Sequence, residues 1–307
     1  MREAWLPLAV LLALGAAPLL GFGGSYETTV MAQAMILGMA AVSLSFLVGG
    51  AGLVSLGHAA TLGIGAYAVA ILDAHGVTEG AIVLPVAIGA AAFFSLVTGA
   101  VAIRTSGVHF IMITLAFGQM AFFTASSLAA YGGDDGYTLY DRTEVWGRPL
   151  LANRLAFHYA CLGALALTWG ACSLLLGSRF GRVLRAAREN ARRVEAVGLA
   201  PYPFRLVAYV IAGAFGGAAG VLLANATEFI SPATLSWQRS GELLFMVILG
   251  GAGRLWGAIL GAAAFVLLET WLAGTIPHWK MVFGPLLVLA VLFLKGGLAG
   301  LVVRRHG

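Results

Sequence analysis

Few residues in this chain could do covalent chemistry, and none stands in a pattern that would. His58 sits beside a glycine-rich run, but no carboxylate within the apolar stretches is placed to partner it as a proton relay. Its plainer reading is an interfacial histidine near a helix start, wetted by headgroups. Arg142, Arg148 and His158, with the acids near them, form the one polar cluster that a membrane enzyme could use. Turn signals surround that cluster, and no acid–base pair can be identified in it. The run Gly132-Gly133-Asp134-Asp135-Gly136-Tyr137, followed by Asp141 and Glu144, is acidic enough to suggest calcium. Its spacing fits no EF-hand, so it reads as a solvated loop. Cys161 and Cys172 lie too far apart along one apolar run for a disulfide, and no CxxC pair occurs. A GxxxxGK[ST] phosphate loop, HExxH and GxSxG are all absent. No catalytic residue, metal site or cofactor is therefore expected in this chain.

The elements that hold these residues follow from composition. Of 307 residues, 60% are apolar and 10% charged, with a mean hydropathy of +0.93. A soluble domain carries about 25% charged residues, so this chain lacks the polar material to cover a globule. A soluble enzyme, a disordered protein and a secreted disulfide scaffold are excluded. A bilayer-spanning helix needs roughly 20 apolar residues. Apolar stretches occur at 5–22, 29–48, 58–74, 81–103, 108–130, 155–177, 204–224, 241–252, 257–273 and 281–296. The eighth is too short to span alone and must borrow from the preceding loop. These runs are far longer than barrel strands. The expected fold is all-α: a polytopic transmembrane bundle of about ten spans, one or more of them broken, with residues 1–307 forming a single domain. The first stretch, with Arg2 ahead of it, resembles a signal peptide, but Leu19, Leu20 and Phe22 continue it as an uncleaved helix. With both termini cytoplasmic, thirteen of the 18 Lys and Arg fall inside, including the cluster from Arg179 to Arg205 and Arg104, Arg254, Lys295, Arg304 and Arg305. The net charge of +5 is then a topology signal, and no nucleic-acid partner is needed to explain it.

Three places depart from plain lipid-facing helix. The first is Gly49-Gly50-Ala51-Gly52-Leu53-Val54-Ser55-Leu56-Gly57-His58, continuing to Gly63, Gly65 and Tyr67. So many glycines disfavour an uninterrupted helix. Transporters use such breaks to present backbone groups to a solute. Close helix packing through small residues is the alternative, and both readings stand open. The second is the inner stretch 178–203. Ser178 can cap a helix, Gly198 can end it, and Pro201 and Pro203 prevent its continuation. On that helix Val183, Leu184, Ala187, Ala191, Val194 and Val197 share a face, with Asn190 inside the apolar arc and arginines opposite. A face of alanine and valine suits docking against protein better than anchoring in lipid; a plain positive-inside loop is the other reading. The third is Gly250-Gly251-Ala252-Gly253, where Gly253, Gly257 and Gly261 would make a smooth stripe on one helix after a turn. The tetrapeptide also occurs at Gly49 to Gly52, but with 42 glycines the match carries no repeat. Glu242, Glu269 and Arg104 lie near helix ends and read as snorkelled side chains. The scarcity of charge at mid-membrane weighs against an ion-driven carrier.

In these segments the chain resembles the permease subunits of branched-chain amino-acid ABC importers, of the LivM type. The likeness rests on Gly52 to Ala59, Gly63 to Tyr67, Arg104 to Phe110 running into Thr114 to Gly118, Gly181-Arg182 with Ala187 to Asn190 and Ala196 to Gly198, and Gly250 to Gly253 with Gly257. It implies a transport subunit rather than an enzyme, in the bacterial inner membrane. The implied partners are a second related permease, two cytoplasmic ATPase subunits that bind ATP and Mg, a periplasmic solute-binding protein, and membrane lipid. It further implies that Gly181, Arg182, Ala187, Arg188, Glu189, Asn190, Ala196 and Gly198 couple to the ATPase. The translocation pathway would be lined by Gly52, Ser55, Gly57, His58, Gly63, Gly65, Tyr67 and Thr114. Leucine, isoleucine and valine are the implied solutes. Similar permeases carry urea, short amides or sugars, so another small solute remains the alternative, ahead of a stand-alone secondary transporter.

Overall fold

The computed structural model describes residues 5–16, 18, 24–140, 142–144, 147, 150–275, 278–293 and 296–304. The readings at Arg2, Leu19, Leu20, Phe22, Asp141, Arg148, Lys295 and Arg305 lie outside the described residues. The fold is an all-α bundle. A short helix α1 (Trp5–Ala16) precedes the long α2 (Ser25–Phe46), which is prolonged by a π-helical turn at Leu47–Ala51. After an extended stretch come α3 (His58–Ala74), α4 (Gly80–Ala102) and α5 (Val108–Ser127). A long loop carrying strand β1 (Tyr137–Thr138) leads to α6 (Arg154–Gly177) and then to the short α7 (Arg179–Glu189) and α8 (Ala191–Ala196). The chain continues through α9 (Pro201–Thr227), strand β2 (Phe229–Ile230), a 3-10 turn at Pro232–Leu235, α10 (Trp237–Gly250), α11 (Leu255–Thr275), α12 (Trp279–Phe293) and α13 (Gly297–Arg304).

Among the described residues, six helices are long and apolar enough to cross a bilayer: Tyr26–Ala51, Gly80–Ala102, Val108–Ser127, Arg154–Gly177, Pro201–Thr227 and Leu255–Thr275. Helices α3 and α10 have 17 and 14 residues, so they reach only about 25 and 21 Å at 1.5 Å per residue. Both start part-way through the bundle. The stretch expected at 241–252 does borrow from its preceding loop, beginning at Trp237 where Ser236 accepts a hydrogen bond from the Arg239 amide at 3.3 Å.

Helix α2 forms the centre and is buried almost throughout, from Met35 to Leu47. Helices α4, α5 and α6 instead turn Phe93, Met112, Met120, Phe123, Leu167 and Leu174 outward. Apolar side chains facing lipid cost nothing, so the hydropathy predicted a bundle without predicting which helix lies inside. Small residues set the closest approaches: a side chain at Gly65 of α3 would meet the backbone of Gly217 on α9 at 2.7 Å.

The order long helix, break, short helix, long helix occurs twice with opposite polarity. Helix α4 packs along α9 as α11 packs along α2. The repeated tetrapeptide does not mark this relation, because Gly49 to Gly52 closes the long α2 whereas Gly250 to Gly253 follows the short α10.

At one end of the bundle the loop after α5 is an ordered clasp rather than a solvated loop. Strands β1 and β2 pair antiparallel, with Tyr137 opposite Ile230 and Thr138 opposite Phe229. The Leu139 amide donates to the Glu228 carbonyl (2.9 Å), and the Glu144 amide to that of Thr78 (2.8 Å). Buried Asn225 accepts from the Thr143 amide and donates to the Thr143 hydroxyl. Arg142 bonds Glu228. Tyr137 donates to Asp73 at 3.2 Å, and burial first, then the Asp73 charge, push its phenol pKa up. These bonds satisfy backbone that turn composition alone left to water. The opposite end carries Arg104, α7, α8 and Arg254, and is the basic end.

Candidate functional site

The glycine run does break the helix, and the two readings left open divide between its two halves. Gly52 takes φ 70°, a left-handed conformation that glycine adopts freely, and releases the chain from the π turn. The chain then runs extended to Gly57 and becomes helical again at His58. Side chains from other helices and from the break itself satisfy the amides that the break exposes. The Leu56 amide donates to Thr114 Oγ1 of α5 at 3.3 Å, the Gly57 amide to Ser55 Oγ at 3.2 Å, and the Ala59 amide to Ser240 Oγ of α10 at 3.0 Å. Gly63 and Gly65 lie within regular α3 and serve close packing, against Leu235 and Gly217.

His58 is 2% exposed, which overturns its reading as a headgroup-wetted interfacial residue. The extended stretch carries the start of α3 inside the bundle, away from either surface. Ser43 Oγ lies 2.8 Å from His58 Nε2 and 2.8 Å from the Ala40 carbonyl. A serine hydroxyl has a single hydrogen; donated to Ala40, it leaves Ser43 to accept from His58 Nε2–H. Ser55 lies 3.5 Å from the Tyr209 hydroxyl. Ser55, Gly57, His58 and Thr114 are thus brought together as a closed, internally bonded interior. Tyr67 stands apart from them and lines a cavity of about 470 Å³ with Phe94, Thr98, Phe117 and Thr124. Gly52 is exposed at the basic end.

The stretch after α6 is two helices, which corrects the single helix expected from 178 to 198. Asn190 leaves helical geometry (φ −157°, ψ 100°), and its Oδ1 accepts from the Arg193 amide at 3.1 Å, capping α8. A short amide side chain competes with the helix for backbone donors, so its place is a cap and not an apolar arc. Ser178 occupies the N-cap position but makes no side-chain cap; its hydroxyl donates to the Leu175 carbonyl instead. Gly198 ends the segment with φ 86°, as expected. The apolar face is largely spent within the chain: Leu184, Ala187 and Val194 are buried, while Val197 is 79% exposed. Gly181 is buried at the corner against Leu175 and Leu176.

Two arginines lock this segment to its surroundings. Arg188 Nη1 donates to the Gly49 carbonyl at 2.6 Å, and Arg205 Nη2 to that of Ala187 at 2.7 Å. Arg188 therefore holds a carbonyl of the broken helix itself. Outward, α7 and α8 enclose a groove of about 550 Å³ whose apolar floor includes Val183, Val194 and Leu199 and whose rim carries Arg182, Glu189, Asn190 and Arg193. Ala196 and Gly198 are exposed beside it. At the third glycine segment, Gly253 lies in the turn (φ 98°) and not on α11, so the expected stripe reduces to Gly257 and Gly261, packed on α10.

The second break, at 228–236, was not foreseen as a site. Its signal was an i,i+3 pair, Arg239 and Glu242, bonded here at 2.6 Å. Glu242 is thus paired beside a cavity and not snorkelled. The supposed polar cluster disperses: Arg142 joins the clasp, and His158 is buried in α6 with Nε2 3.1 Å from the Leu14 carbonyl. Cys161 and Cys172 are both free and buried. Among the described residues no group of three or more His, Cys, Asp or Glu is placed to hold a metal ion.

Curated relatives agree along most of the chain. It is 27% identical to the high-affinity branched-chain amino acid transport system permease protein LivM of Salmonella typhimurium, over 95% of this chain and 73% of that protein. Against LivM of Escherichia coli it is 27% identical over 86% of this chain and 67% of that protein. The autoinducer 2 import system permease protein LsrC of Klebsiella pneumoniae is 29% identical over 48% of this chain and 47% of its own length. No solved structure matches the chain. Residues 27–292 match the family profile described as branched-chain amino acid transport system / permease component, and the chain belongs to that family of transport permeases.

Proposed function

We propose that this chain is the permease subunit of an ATP-driven importer for branched-chain amino acids, working in the bacterial inner membrane. Two cytoplasmic ATPases would bind ATP and Mg, a second related permease would complete the pathway, and a periplasmic binding protein would deliver solute. The positive-inside rule puts the basic end in the cytoplasm and the clasp outside. The observation that carries the reading is the α7–α8 groove, tied through Arg188 to the carbonyl of Gly49. ATPase closure pressing on Glu189, Asn190 and Arg193 would move Arg188, and with it the break at 49–57 and the start of α3. Access would then alternate between the two ends of the bundle. Ser55, Gly57, His58 and Thr114 would open toward the second permease only in that motion, with Tyr67 lining the outer part of the path. LsrC relatives along about half the chain favour, as a second reading, another small solute on the same machinery.

The test is radiolabelled leucine uptake into proteoliposomes, with binding protein outside and ATP inside. Uptake only when the second permease and ATPases accompany this chain is the expected result. ATP hydrolysis without leucine uptake would shift the solute to urea, a short amide or a sugar. Uptake by this chain alone under an ion gradient would make it a secondary carrier.

A further inference from the structure

At the clasp end, helices α1, α2 and α11 enclose a cavity of about 760 Å³, inside the range of roughly 300–1,000 Å³ that small-molecule pockets occupy. Its walls are apolar, with Val30 and Met31 of α2 facing Leu267 of α11. Its rim carries Glu27, an exposed carboxylate, together with Tyr26 and Trp271, both largely exposed. The depth of that rim follows from helix length. The continuous helix Tyr26–Ala51 has 26 residues, about 39 Å at 1.5 Å per residue, against a hydrocarbon core of about 30 Å. With Gly49 at the basic end, the first turn of α2 reaches the headgroups of the opposite leaflet. Tryptophan and tyrosine rings concentrate at that depth. Among the described residues that line the cavity, Glu27 alone is charged, and no described cation pairs with it. Helix polarity accounts for a carboxylate in the first turn of α2. It does not account for the apolar cavity beneath that carboxylate or the two rings beside it.

We propose that this cavity holds one membrane phospholipid with a primary-ammonium headgroup, such as phosphatidylethanolamine. An acyl chain fills the space against Val30, Met31 and Leu267. The ammonium donates to the Glu27 carboxylate, a charge-assisted hydrogen bond, beside the Tyr26 and Trp271 rings, whose faces attract a cation. The phosphate stays in water. A choline headgroup carries the same charge but has no N–H to donate, so the carboxylate tells the two lipids apart. The inference goes beyond the importer reading and requires only that the chain spans a bilayer. Its failure would leave that reading intact.

The experiment is native mass spectrometry of the purified full chain in detergent, titrated with equal amounts of dioleoyl phosphatidylethanolamine and dioleoyl phosphatidylcholine. With identical tails, the adduct ratio reads the headgroup alone. The first lipid retained should favour ethanolamine by about threefold or more, the size of an ion pair at a partly exposed site. Glu27→Gln should bring the two lipids to parity while lipid is still retained, and Glu27→Asp should keep the preference. A loss of fold would instead remove lipid of both kinds. Gly274→Trp should fill the cavity and displace the lipid with the melting midpoint held, because a Cβ added at that lining position meets nothing within 4 Å. An unchanged headgroup ratio in Glu27→Gln would overturn the proposal, as would full lipid retention in Gly274→Trp. So would loss of the lipid from the complete importer, which would make the cavity a contact with the second permease.

Discussion

The two breaks in this bundle have the same topology and opposite character. At 49–57 a long helix ends, the chain re-enters the bundle and α3 starts inside it. Every amide noted there finds a side-chain acceptor, and His58 is sealed against Ser43. At 228–236 the same sequence of events, in inverted polarity, leaves a charged cavity beside the start of α10. One break is dry, built on glycine and bonded through Arg188 to the segment that faces the cytoplasm in our proposal. The other is lined by charged side chains, free of glycine and next to the clasp. In the reading proposed above, the first break is the one that takes up the motion of α7 and α8.

The sharpest way to break the contrast is to crowd each site. Gly57→Val drives a side chain into the Thr114 carbonyl and should cost about 3 kcal/mol or more, as overpacking against fixed backbone does. Ala233→Val on the exposed second break should stay within about 0.5 kcal/mol. Thermal melts in detergent compare them, and equal losses would erase the distinction.

Next in size is the effect on coupling. Alanine at both Glu189 and Asn190 should abolish uptake while the protein still inserts and runs as a single species on gel filtration. Normal transport by that variant would remove the coupling role from α7 and α8. Ser43→Ala removes the hydroxyl bonded to the buried His58 ring and should cost about 1–3 kcal/mol, read as a lower melting midpoint. Glu228→Gln weakens a partly exposed ion pair of the clasp and should cost at most about 1 kcal/mol. A larger loss there would mean that the clasp, and not the first break, holds the repeats together.

Much of this architecture is legible in the residues, for reasons that also explain what is not. Helix ends followed apolar run length closely, because in lipid a backbone must stay helical wherever it is not buried in protein. The first break was legible because glycine advertises it. The second is written in Ser231, Pro232, Ala233, Thr234, Leu235 and Ser236, an ordinary loop composition, and the shortness of the stretch after it hinted at a half-helix. Periodicity showed that α7 buries a face but could not show against what, and most of that face lies on the chain's own bundle. Glu242 was read singly, as a helix end that reaches for headgroups, when its spacing from Arg239 allowed a pair. The clasp was illegible because its bonds join residues from 73 to 230 in sequence.

One pair of thiol-labelling rates tests the division between the breaks most directly. Cys161 and Cys172 are buried and should stay silent, so Ala233→Cys and Ser55→Cys can be compared in cells treated from outside with an impermeant maleimide. The account predicts rapid labelling at 233 and none at 55 in the absence of ATP turnover. Equal labelling at both positions, or labelling at 55 alone, would contradict it.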